Sequence, residues 1–300
     1  MNNVTRISLI GLGEVGTILA TDLKNQNPSL DIVAFDKQSD SAVIRQRARD
    51  AGVNFALSVE DAVKNSQIMF SAVTAAEALK VAEAVAPHLA PGQFFLDLNS
   101  VSPNTKREAM ALIEQAGGHY IDVAVMAPYP PARLKTPLLL GGTHVYAISE
   151  WLNENGFNSK VHSTAVGEAS AIKMCRSVMI KGLEALTAEC LSAARQYGVE
   201  NEVLASLHAS FPSLGWDAQL PHYLISRIAE HGKRRAEEMR EVVKTLADVG
   251  VAPNMSSGTV LAQQGLVDAL AAKGIRYSDL EPFEWQRTVD ILHRGDGNRS

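Results

Sequence analysis

Three glycines near the start of the chain are spaced for binding a phosphate group. Gly11, Gly13 and Gly16 follow an apolar run, Val4 to Ile10, and precede a stretch that favours a helix, Val15 to Leu23. A glycine turn between strand and helix lets the backbone approach a pyrophosphate, which the N–H groups of the helix N-terminus then bind. The flanking strand and helix make this short pattern specific. The turn therefore predicts a dinucleotide site, with a chance glycine turn as the alternative.

An acidic residue, Asp36, directly follows the second apolar run, Asp31 to Phe35. A carboxylate at this place accepts hydrogen bonds from ribose hydroxyls and repels a 2′-phosphate, so Asp36 favours NAD over NADP. Lys37, Arg45 and Arg47 could hold a 2′-phosphate instead, and they leave NADP open. The residues predicted to bind the cofactor are Gly11, Leu12, Gly13, Glu14, Val15, Gly16, Asp36 and Val73.

Two later loops are candidates for polar contacts, because ligands of an open α/β sheet bind beyond the carboxyl ends of its strands. Asn99 and Ser100 follow an apolar run and are predicted to hydrogen-bond the nicotinamide or the substrate. The end of the same segment also has the composition of a helix cap. Met126, Ala127 and Pro128 open a proline-rich loop, whose simplest interpretation is a rigid connection.

A lysine in a predicted helix, Lys173, is the candidate proton carrier. Arg176 and Ser177 share its helical face, at three and four residues further on. Partial burial and a neighbouring cation disfavour the ammonium form, which is how a lysine becomes a general acid/base near neutral pH. Spacing alone nevertheless favours an exposed lysine, because lysines are usually exposed.

The elements that must position these residues alternate along the first half of the chain. Short β-like runs and alanine-rich helical runs follow one another, which is the pattern of a doubly wound parallel sheet. Beyond the second strand, the predicted strands are 67–73, 94–98, 120–125, 138–140 and 160–163. The predicted helices between them are 42–51, 75–86, 104–116 and 145–155.

The pattern changes after Gly167. Glu168 to Tyr197 has helix-forming composition without proline, and predicts one long helix; Tyr223 to Val249 predicts another. The fold class is therefore α/β, with an N-terminal Rossmann-type doubly wound parallel sheet followed by an all-α C-terminal domain. We expect a dinucleotide-binding domain over 1–164, a substrate and dimerisation domain over 165–293, and a flexible tail over 294–300.

Composition excludes several classes of protein. The chain has 300 residues, 46% of them hydrophobic, which is enough for two domains with cores. The net charge of −5 and the dispersed basic residues do not fit a nucleic-acid surface, and no apolar run approaches the ~20 residues that span a bilayer. The only cysteines, Cys175 and Cys190, lie in helical sequence, so we expect a reducing, cytoplasmic location. The eight histidines show no metal-ligand spacing, and no metal is expected.

Taken together, these segments resemble the β-hydroxyacid dehydrogenase superfamily, which includes 6-phosphogluconate and 3-hydroxyisobutyrate dehydrogenases. The resemblance covers Arg6 to about Arg240 and rests on the glycine turn and three further motifs, at 97–103, 122–128 and 167–177. Within the superfamily the chain is similar to 6-phosphogluconate dehydrogenase-like oxidoreductases with a C-terminal helical domain of unknown function, whose helical signature resembles His231 to Met239.

The resemblance implies a catalytic role for Lys173 as general acid/base, and Asn99, Ser100 and Ser177 are further candidate catalytic residues. It also implies a substrate loop at Met126, Ala127 and Pro128, to which Arg176 is added as a candidate for binding substrate. The chain departs from the family where Pro128 replaces a glycine, because proline has no N–H to donate to a carboxylate. Arg176 and Ser177 stand where the family has asparagines, and Arg176 could bind an anionic substrate instead.

The sequence therefore predicts an NAD(P)-dependent dehydrogenase that oxidises a small β-hydroxy acid or related polar alcohol and passes the hydride to nicotinamide. NAD is the expected cofactor, with NADP possible. The alternatives are an imine reductase, against which the retained Lys173 argues, and a non-catalytic NAD(P)-binding protein. The expected partners are a small, anionic substrate and a second copy of the chain in a homodimer, with neither nucleic acid nor membrane.

Overall fold

Eight strands pair into one sheet within residues 4–293, the part of the chain that this computed structural model describes. The strands are β1 (Arg6–Ile10), β2 (Asp31–Phe35), β3 (Asn54–Phe55), β4 (Ile68–Ser71), β5 (Phe94–Asp97), β6 (His119–Val125), β7 (Pro137–Gly141) and β8 (Asn158–Ser163). Their order across the sheet is β3-β2-β1-β4-β5-β6-β7-β8. The reversal of order after β1 brings the ends of β1 and β4 side by side, where ligands of such sheets bind.

Helices cover both faces of this sheet, and the described part of the chain after β8 is helical. They are α1 (Glu14–Gln26), α2 (Ala42–Asp50), α3 (Val59–Val63), α4 (Ala78–Val85), α5 (Pro103–Gln115), α6 (Tyr129–Ala132), α7 (Val145–Glu154), α8 (Glu168–Tyr197), α9 (Glu200–Ser210), α10 (Leu220–Asp248), α11 (Asn254–Ala272) and α12 (Trp285–His293). No helix among residues 4–293 combines the length and the apolar composition needed to cross a membrane.

The central strands are buried on both faces because successive side chains point to opposite layers. In β4, Ile68 and Phe70 join the larger hydrophobic cluster on one face, whereas Met69 joins a second cluster with residues of α4 and α5 on the other. In β5, Phe94 and Phe95 divide in the same way. Near-continuous apolar strands of this kind are typical of sheets covered on both sides. The predicted Rossmann-type sheet is confirmed.

One pairing differs from the predicted parallel sheet, because β7 runs antiparallel to β6. A parallel pair needs a crossover long enough to carry a packed helix. The connection from Met126 to Thr136 has only the short helix α6 and a 3₁₀ turn, and the N–H of Met126 donates to Pro137 O at 2.9 Å. The chain therefore turns back beside β6 and resumes parallel pairing with β8.

The described residues fall into two units, divided between Cys175 and Arg176, within α8. The bounds predicted for this long helix, 168–197, are confirmed. The expected boundary between residues 164 and 165 stays a prediction about separate domains, and the tail predicted over 294–300 lies outside the described residues. The first turns of α8 belong to the sheet unit because they hydrogen-bond to β6, as described below.

The helical unit packs around an apolar cluster that includes Leu191, Ile228 and Trp285. Gly232 of α10 allows close contact with α11, since a Cβ there would lie 2.3 Å from Gln263 O. This interior also contains ion pairs and a polar partner: Arg235 Nη2 lies 2.8 Å from Glu184 Oε1, Lys181 Nζ lies 2.7 Å from Glu238 Oε2, and Gln263 Nε2 lies 3.1 Å from Glu184 Oε2. Burial raises the pKa of Glu184 despite its cationic partners.

Stability of the helical unit should fall at mildly acid pH because of His231. Burial, followed by the charges of Arg227, Arg234 and Arg235, lowers the pKa of His231 from 6.5 to about 4. Between these two pKa values the unfolded chain binds a proton that the folded chain does not. The free energy of unfolding is therefore unaffected by His231 above pH 6.5 and decreases as the pH falls towards 4. The full difference corresponds to about 3 kcal/mol.

We expect His231→Asn to flatten this decline, because asparagine does not titrate. The measurement is the free energy of unfolding in urea at intervals between pH 7.5 and pH 4. His88→Asn is the matched control, since His88 is exposed and should leave the wild-type pH dependence in place. If the free energy of unfolding of His231→Asn depends on pH as it does in wild type, another group causes the loss of stability at acid pH.

Candidate active site

Two glycines of the turn between β1 and α1 are required by the protein's own packing. Gly11 has a φ of +97°, and a Cβ on it would lie 2.4 Å from Ala72 O at the end of β4. A Cβ on Gly16 would lie 2.0 Å from Gly11 O. Neither position can carry a side chain without moving the backbone. The turn therefore holds the end of β1 close to both α1 and β4.

The middle glycine, Gly13, is required by nothing in the protein. Its φ of −71° suits any residue, and a Cβ on it would meet no atom within 4 Å. Gly13 is also the N-cap of α1 and has no side chain with which to accept from the first helical turn. The turn thus has an open cradle in front of a helix N-terminus, which fits a pyrophosphate.

Asp36, the residue predicted to bind the ribose, lies beside this cradle. Its Oδ2 accepts from the N–H of Leu12 at 2.9 Å, and its Oδ1 accepts from the N–H of Gln38 at 2.9 Å. A carboxylate has about four acceptor sites, so each oxygen keeps capacity for a ribose hydroxyl. The hydrogen bond to Leu12 fixes the carboxylate at the glycine turn.

The three basic residues near Asp36 have different partners. Lys37 lies 3.2 Å from Glu77, and Arg45 Nε donates to Ser39 O at 2.6 Å. Arg47 Nη1 donates to Leu12 O at 3.2 Å. Of these three, Arg47 is therefore the one hydrogen-bonded to the glycine turn.

Asn99 connects the ends of β4 and β5. Its Oδ1 accepts from the N–H of Val73 at 2.7 Å, and its Nδ2 donates to Ser71 Oγ at 2.9 Å. The side chain is buried, so these contacts place it as a support for the loop that contains Val73. The cap interpretation of the same segment also holds: Ser102 Oγ accepts from the N–H of Thr105 at the start of α5.

Lys173 and Ser100 are brought together although they are far apart in sequence. Lys173 Nζ donates to Ser100 Oγ at 2.6 Å. Both residues are partly buried, so the predicted general base is neither an ordinary surface lysine nor a sealed core group. Ser100 follows the carboxyl end of β5, at the same edge of the sheet as the glycine turn, because β1, β4 and β5 are parallel.

The start of α8, which carries Lys173, is fixed by a residue that the sequence reasoning did not assign. Asp122 in β6 is fully buried, and its Oδ2 accepts from the N–H groups of Gly167 and Ser170, at 3.1 Å each. Its Oδ1 accepts from the hydroxyl of Ser170. Asp122 thus caps α8 from inside the sheet. The available signal was an acidic residue within an otherwise apolar strand.

The predicted substrate loop follows the carboxyl end of β6. Met126 is partly buried, and its N–H donates to Pro137 O, whereas Ala127 and Pro128 are exposed. Pro128 is the N-cap of α6 and supplies no N–H. In the helical unit, Arg176 is exposed, and Ser177 is buried with its Oγ 3.5 Å from Lys181 Nζ.

A glycine turn with an open phosphate cradle, at the carboxyl edge of a mostly parallel sheet, defines an α/β dinucleotide-binding protein. Residues 6–150 match the family described as "NAD binding domain of 6-phosphogluconate dehydrogenase", and residues 194–277 match "Domain of unknown function (DUF1932)". The chain belongs to the family that combines these two regions. The predicted resemblance and the NAD(P)-binding domain are both confirmed.

Two proteins of comparable length are at least 30% identical to this chain over the matched residues. An "Uncharacterized 28.5 kDa protein in 7S RNA 5'region" of Methanothermus fervidus is 30% identical over 250 residues, covering 83% of this chain and 94% of that protein. The crystal structure of a conserved hypothetical protein from Sinorhizobium meliloti 1021 is 34% identical, with a TM-score of 0.75, and covers 97% of this chain and 96% of that one.

More distant relatives carry the names of enzymes. NAD-dependent L-serine dehydrogenase of Pseudomonas aeruginosa is 24% identical over 212 residues, covering 67% of this chain and 68% of that protein. The structure of Mycobacterium tuberculosis 3-hydroxyisobutyrate dehydrogenase with L-serine is 17% identical, with a TM-score of 0.72, and covers 97% of this chain and all of that one. At 17% identity the second similarity shows a shared fold alone.

The contrast between the glycines predicts different effects of adding one methyl group. Gly13→Ala should fold with stability within about 1 kcal/mol of wild type, because its Cβ meets no protein atom, yet bind NAD and NADP at least about tenfold more weakly. Gly16→Ala should lose about 2 kcal/mol or more through its clash with Gly11 O.

Thermal unfolding and fluorescence titration with each nucleotide would measure these effects. Equal nucleotide affinity in Gly13→Ala and wild type would mean that the cradle at the start of α1 is not the phosphate site.

Proposed function

We propose that the chain is an NAD(P)-dependent dehydrogenase of a small β-hydroxy acid, with Lys173 as its general acid/base. The observation that carries this proposal is the 2.6 Å hydrogen bond between Lys173 Nζ and Ser100 Oγ, at the sheet edge that also bears the phosphate cradle. An amine and a hydroxyl in contact can hold and move the proton of a substrate alcohol. The names of the distant relatives support the hydroxy acid class, since L-serine and 3-hydroxyisobutyrate both carry a hydroxyl β to a carboxylate.

The chain's own residues have separate tasks in the proposed oxidation. The glycine turn and Asp36 hold the nucleotide, which when bound accepts the hydride from the alcohol carbon. Lys173 Nζ takes the hydroxyl proton as the neutral amine and returns it in the reverse direction. Ser100 Oγ orients that amine by its hydrogen bond. Asn99 supports the loop through Val73 and Ser71 and acts by positioning.

The carboxylate of the substrate needs a binding group, and Arg176 is the proposed one. Met126, Ala127 and Pro128 remain the predicted loop on the substrate side. Pro128 cannot donate a backbone hydrogen bond, so a guanidinium is a suitable replacement for the missing amide. Ser177 stays a prediction; its hydroxyl is buried and lies 3.5 Å from Lys181 Nζ.

A homodimer is also part of the proposal. Ile172, Met179 and Leu186 are exposed apolar side chains spaced seven residues apart on α8, so they share one face of that helix. An exposed apolar stripe of this kind is typical of a surface that another molecule covers.

Lys173→Met should remove turnover while leaving the cofactor bound. Loss of the amine should lower kcat by about 10²- to 10⁴-fold, the usual contribution of general acid–base catalysis. The dissociation constants of NAD and NADP should stay within about threefold, because Lys173 lies outside the phosphate cradle. The assay follows nucleotide reduction at 340 nm with L-serine, 3-hydroxyisobutyrate and other hydroxy acids as substrates.

Lys160→Met is the matched control, because Lys160 is an exposed lysine on β8. A Lys173→Met enzyme with kcat within threefold of wild type would contradict the acid/base role. Tight nucleotide binding by a wild-type protein that reduces neither nucleotide with any hydroxy acid would favour the non-catalytic alternative. Amine-dependent oxidation of NADPH with a ketone would instead favour the imine reductase.

Asp36→Asn should change the preference between the two nucleotides. Asparagine keeps an oxygen that can accept from Leu12 N–H but removes the charge that repels a 2′-phosphate. The ratio of the dissociation constants for NADP and NAD should therefore fall by about tenfold or more. Asp40→Asn is the control, because Asp40 is a fully exposed carboxylate in the following turn. A wild-type preference for NADP that survives in Asp36→Asn would contradict the assignment.

A further inference from the structure

Lys106 is a buried lysine that the proposed reaction does not use. It belongs to α5 and is 1% exposed. Its ammonium group donates to Asp97 O at 2.6 Å and lies 3.1 Å from Asp97 Oδ1 and 3.5 Å from Asp122 Oδ1. Lysines are almost never fully buried unless they are paired. One ammonium group therefore contacts the carboxylates of two neighbouring strands, β5 and β6, whose Asp97 and Asp122 are paired in register.

The carboxylate of Asp97 determines where Ser100 lies. Asp97 Oδ1 accepts from the N–H of Asn99 at 2.9 Å, and Oδ2 accepts from the hydroxyl of Tyr120 at 2.6 Å. Burial, with the negative charges of Asp97 and Asp122, raises the pKa of Tyr120, so its hydroxyl keeps the proton that it donates. These contacts fix the backbone turn immediately before Ser100.

The carboxylate of Asp122 determines where Lys173 lies. Asp122 accepts three hydrogen bonds from Gly167 and Ser170 at the start of α8, as described above. Ser170 precedes Lys173 by three residues, so the two lie about one helical turn apart. A shift of this helix start would carry Lys173 with it.

We propose that Lys106 is a positioning residue for the pair formed by Lys173 and Ser100. It holds Asp97 and Asp122 together, and each of these carboxylates fixes the backbone that presents one member of the pair. The inference rests on the proposed function only in treating that pair as catalytic.

The physical reason is the charge of the network. Without the ammonium, two carboxylates that are at most 1% exposed would face each other in a site with little water. Their repulsion would separate the turn before Ser100 from the start of α8. The phosphate cradle should be unaffected, because Gly11, Gly16 and Asp36 are held by other contacts.

A first experiment needs no substrate. We expect Lys106→Met to increase amide hydrogen exchange about tenfold in both segments 98–102 and 167–173, because charged hydrogen bonds that hold both are weakened. Ser170→Ala should increase exchange in 167–173 alone. Both variants should bind NAD and NADP with dissociation constants within about threefold of wild type. Lys244→Met is the matched control: Lys244 is paired with Glu241 at 2.6 Å but is largely exposed, and its loss should alter neither segment.

A second experiment separates positioning from general stability. With L-serine or 3-hydroxyisobutyrate as substrate, kcat per NAD(P)-binding site should fall about 10- to 100-fold in Lys106→Met, while KM changes less than about threefold. A variant that merely folded less well would bind less nucleotide, yet keep its kcat per binding site.

Three outcomes would overturn the inference: unchanged exchange in both segments, increased exchange in only one of them in Lys106→Met, or an unchanged kcat per binding site. If Lys106→Met does not fold, Lys106→Gln decides: its amide can still donate to Asp97 O but carries no charge, and wild-type exchange in both segments would overturn the inference. If the wild type oxidises no hydroxy acid, the proposed function fails, and the exchange experiment still decides the role of Lys106.

Discussion

The buried contact of the Lys106 ammonium with Asp97 and Asp122 is the interaction on which the candidate site depends. One positive charge faces two negative charges, so the cluster keeps an excess of negative charge away from water. The N-terminus of α8 offsets this excess, because its N–H groups and its dipole favour an adjacent carboxylate. Removing one partner of a buried ion pair costs about 3–5 kcal/mol, so the strand ends, α5 and α8 are tied to one another energetically.

The glycines of the turn between β1 and α1 differ in whether the fold requires them. Gly11 and Gly16 are fixed by contacts with the protein's own backbone, so they would be needed even in a protein that bound nothing. Gly13 has no such contact, and its open position in front of the N-terminus of α1, at the carboxyl edge of the sheet, fits a phosphate. Steric need therefore distinguishes the two glycines that the fold requires from the one that leaves room for a ligand.

Much of the fold follows from the sequence because periodicity and composition are strong there. The bounds of β2 and α8 could be predicted, since each is an uninterrupted run of suitable residues. The antiparallel β7 could not, because strand direction depends on the length and packing of a connection and not on the strand's own residues. For the same reason the contact between Lys173 and Ser100 could not be derived from spacing, which favoured an exposed lysine. Family resemblance implies a role for Lys173, and the tertiary structure shows its hydrogen bond to Ser100.

The burial of Lys106 could not be predicted from the sequence. It lies in the segment Asn104-Thr105-Lys106-Arg107-Glu108, whose polar composition indicates an exposed helix surface. Its burial becomes evident only when Asp97, at the end of β5, and Asp122, within β6, lie side by side beneath α5. An aspartate in each of two adjacent apolar strands is the signal that could have indicated a buried cation, because paired carboxylates in an apolar layer need a counter-charge.

The loop after β6 bears on how a substrate carboxylate would be bound. Met126 uses its N–H for Pro137, and Pro128 has none, so this loop has few backbone amides for a carboxylate. Under the proposed function, recognition of an anionic substrate must then rest more on side chains such as Arg176. A guanidinium on an exposed, flexible side chain can bind a carboxylate in more than one position. Backbone amides are fixed, so they bind a carboxylate in one position. Substrate choice should therefore depend on helix α8 more than on the loop after β6.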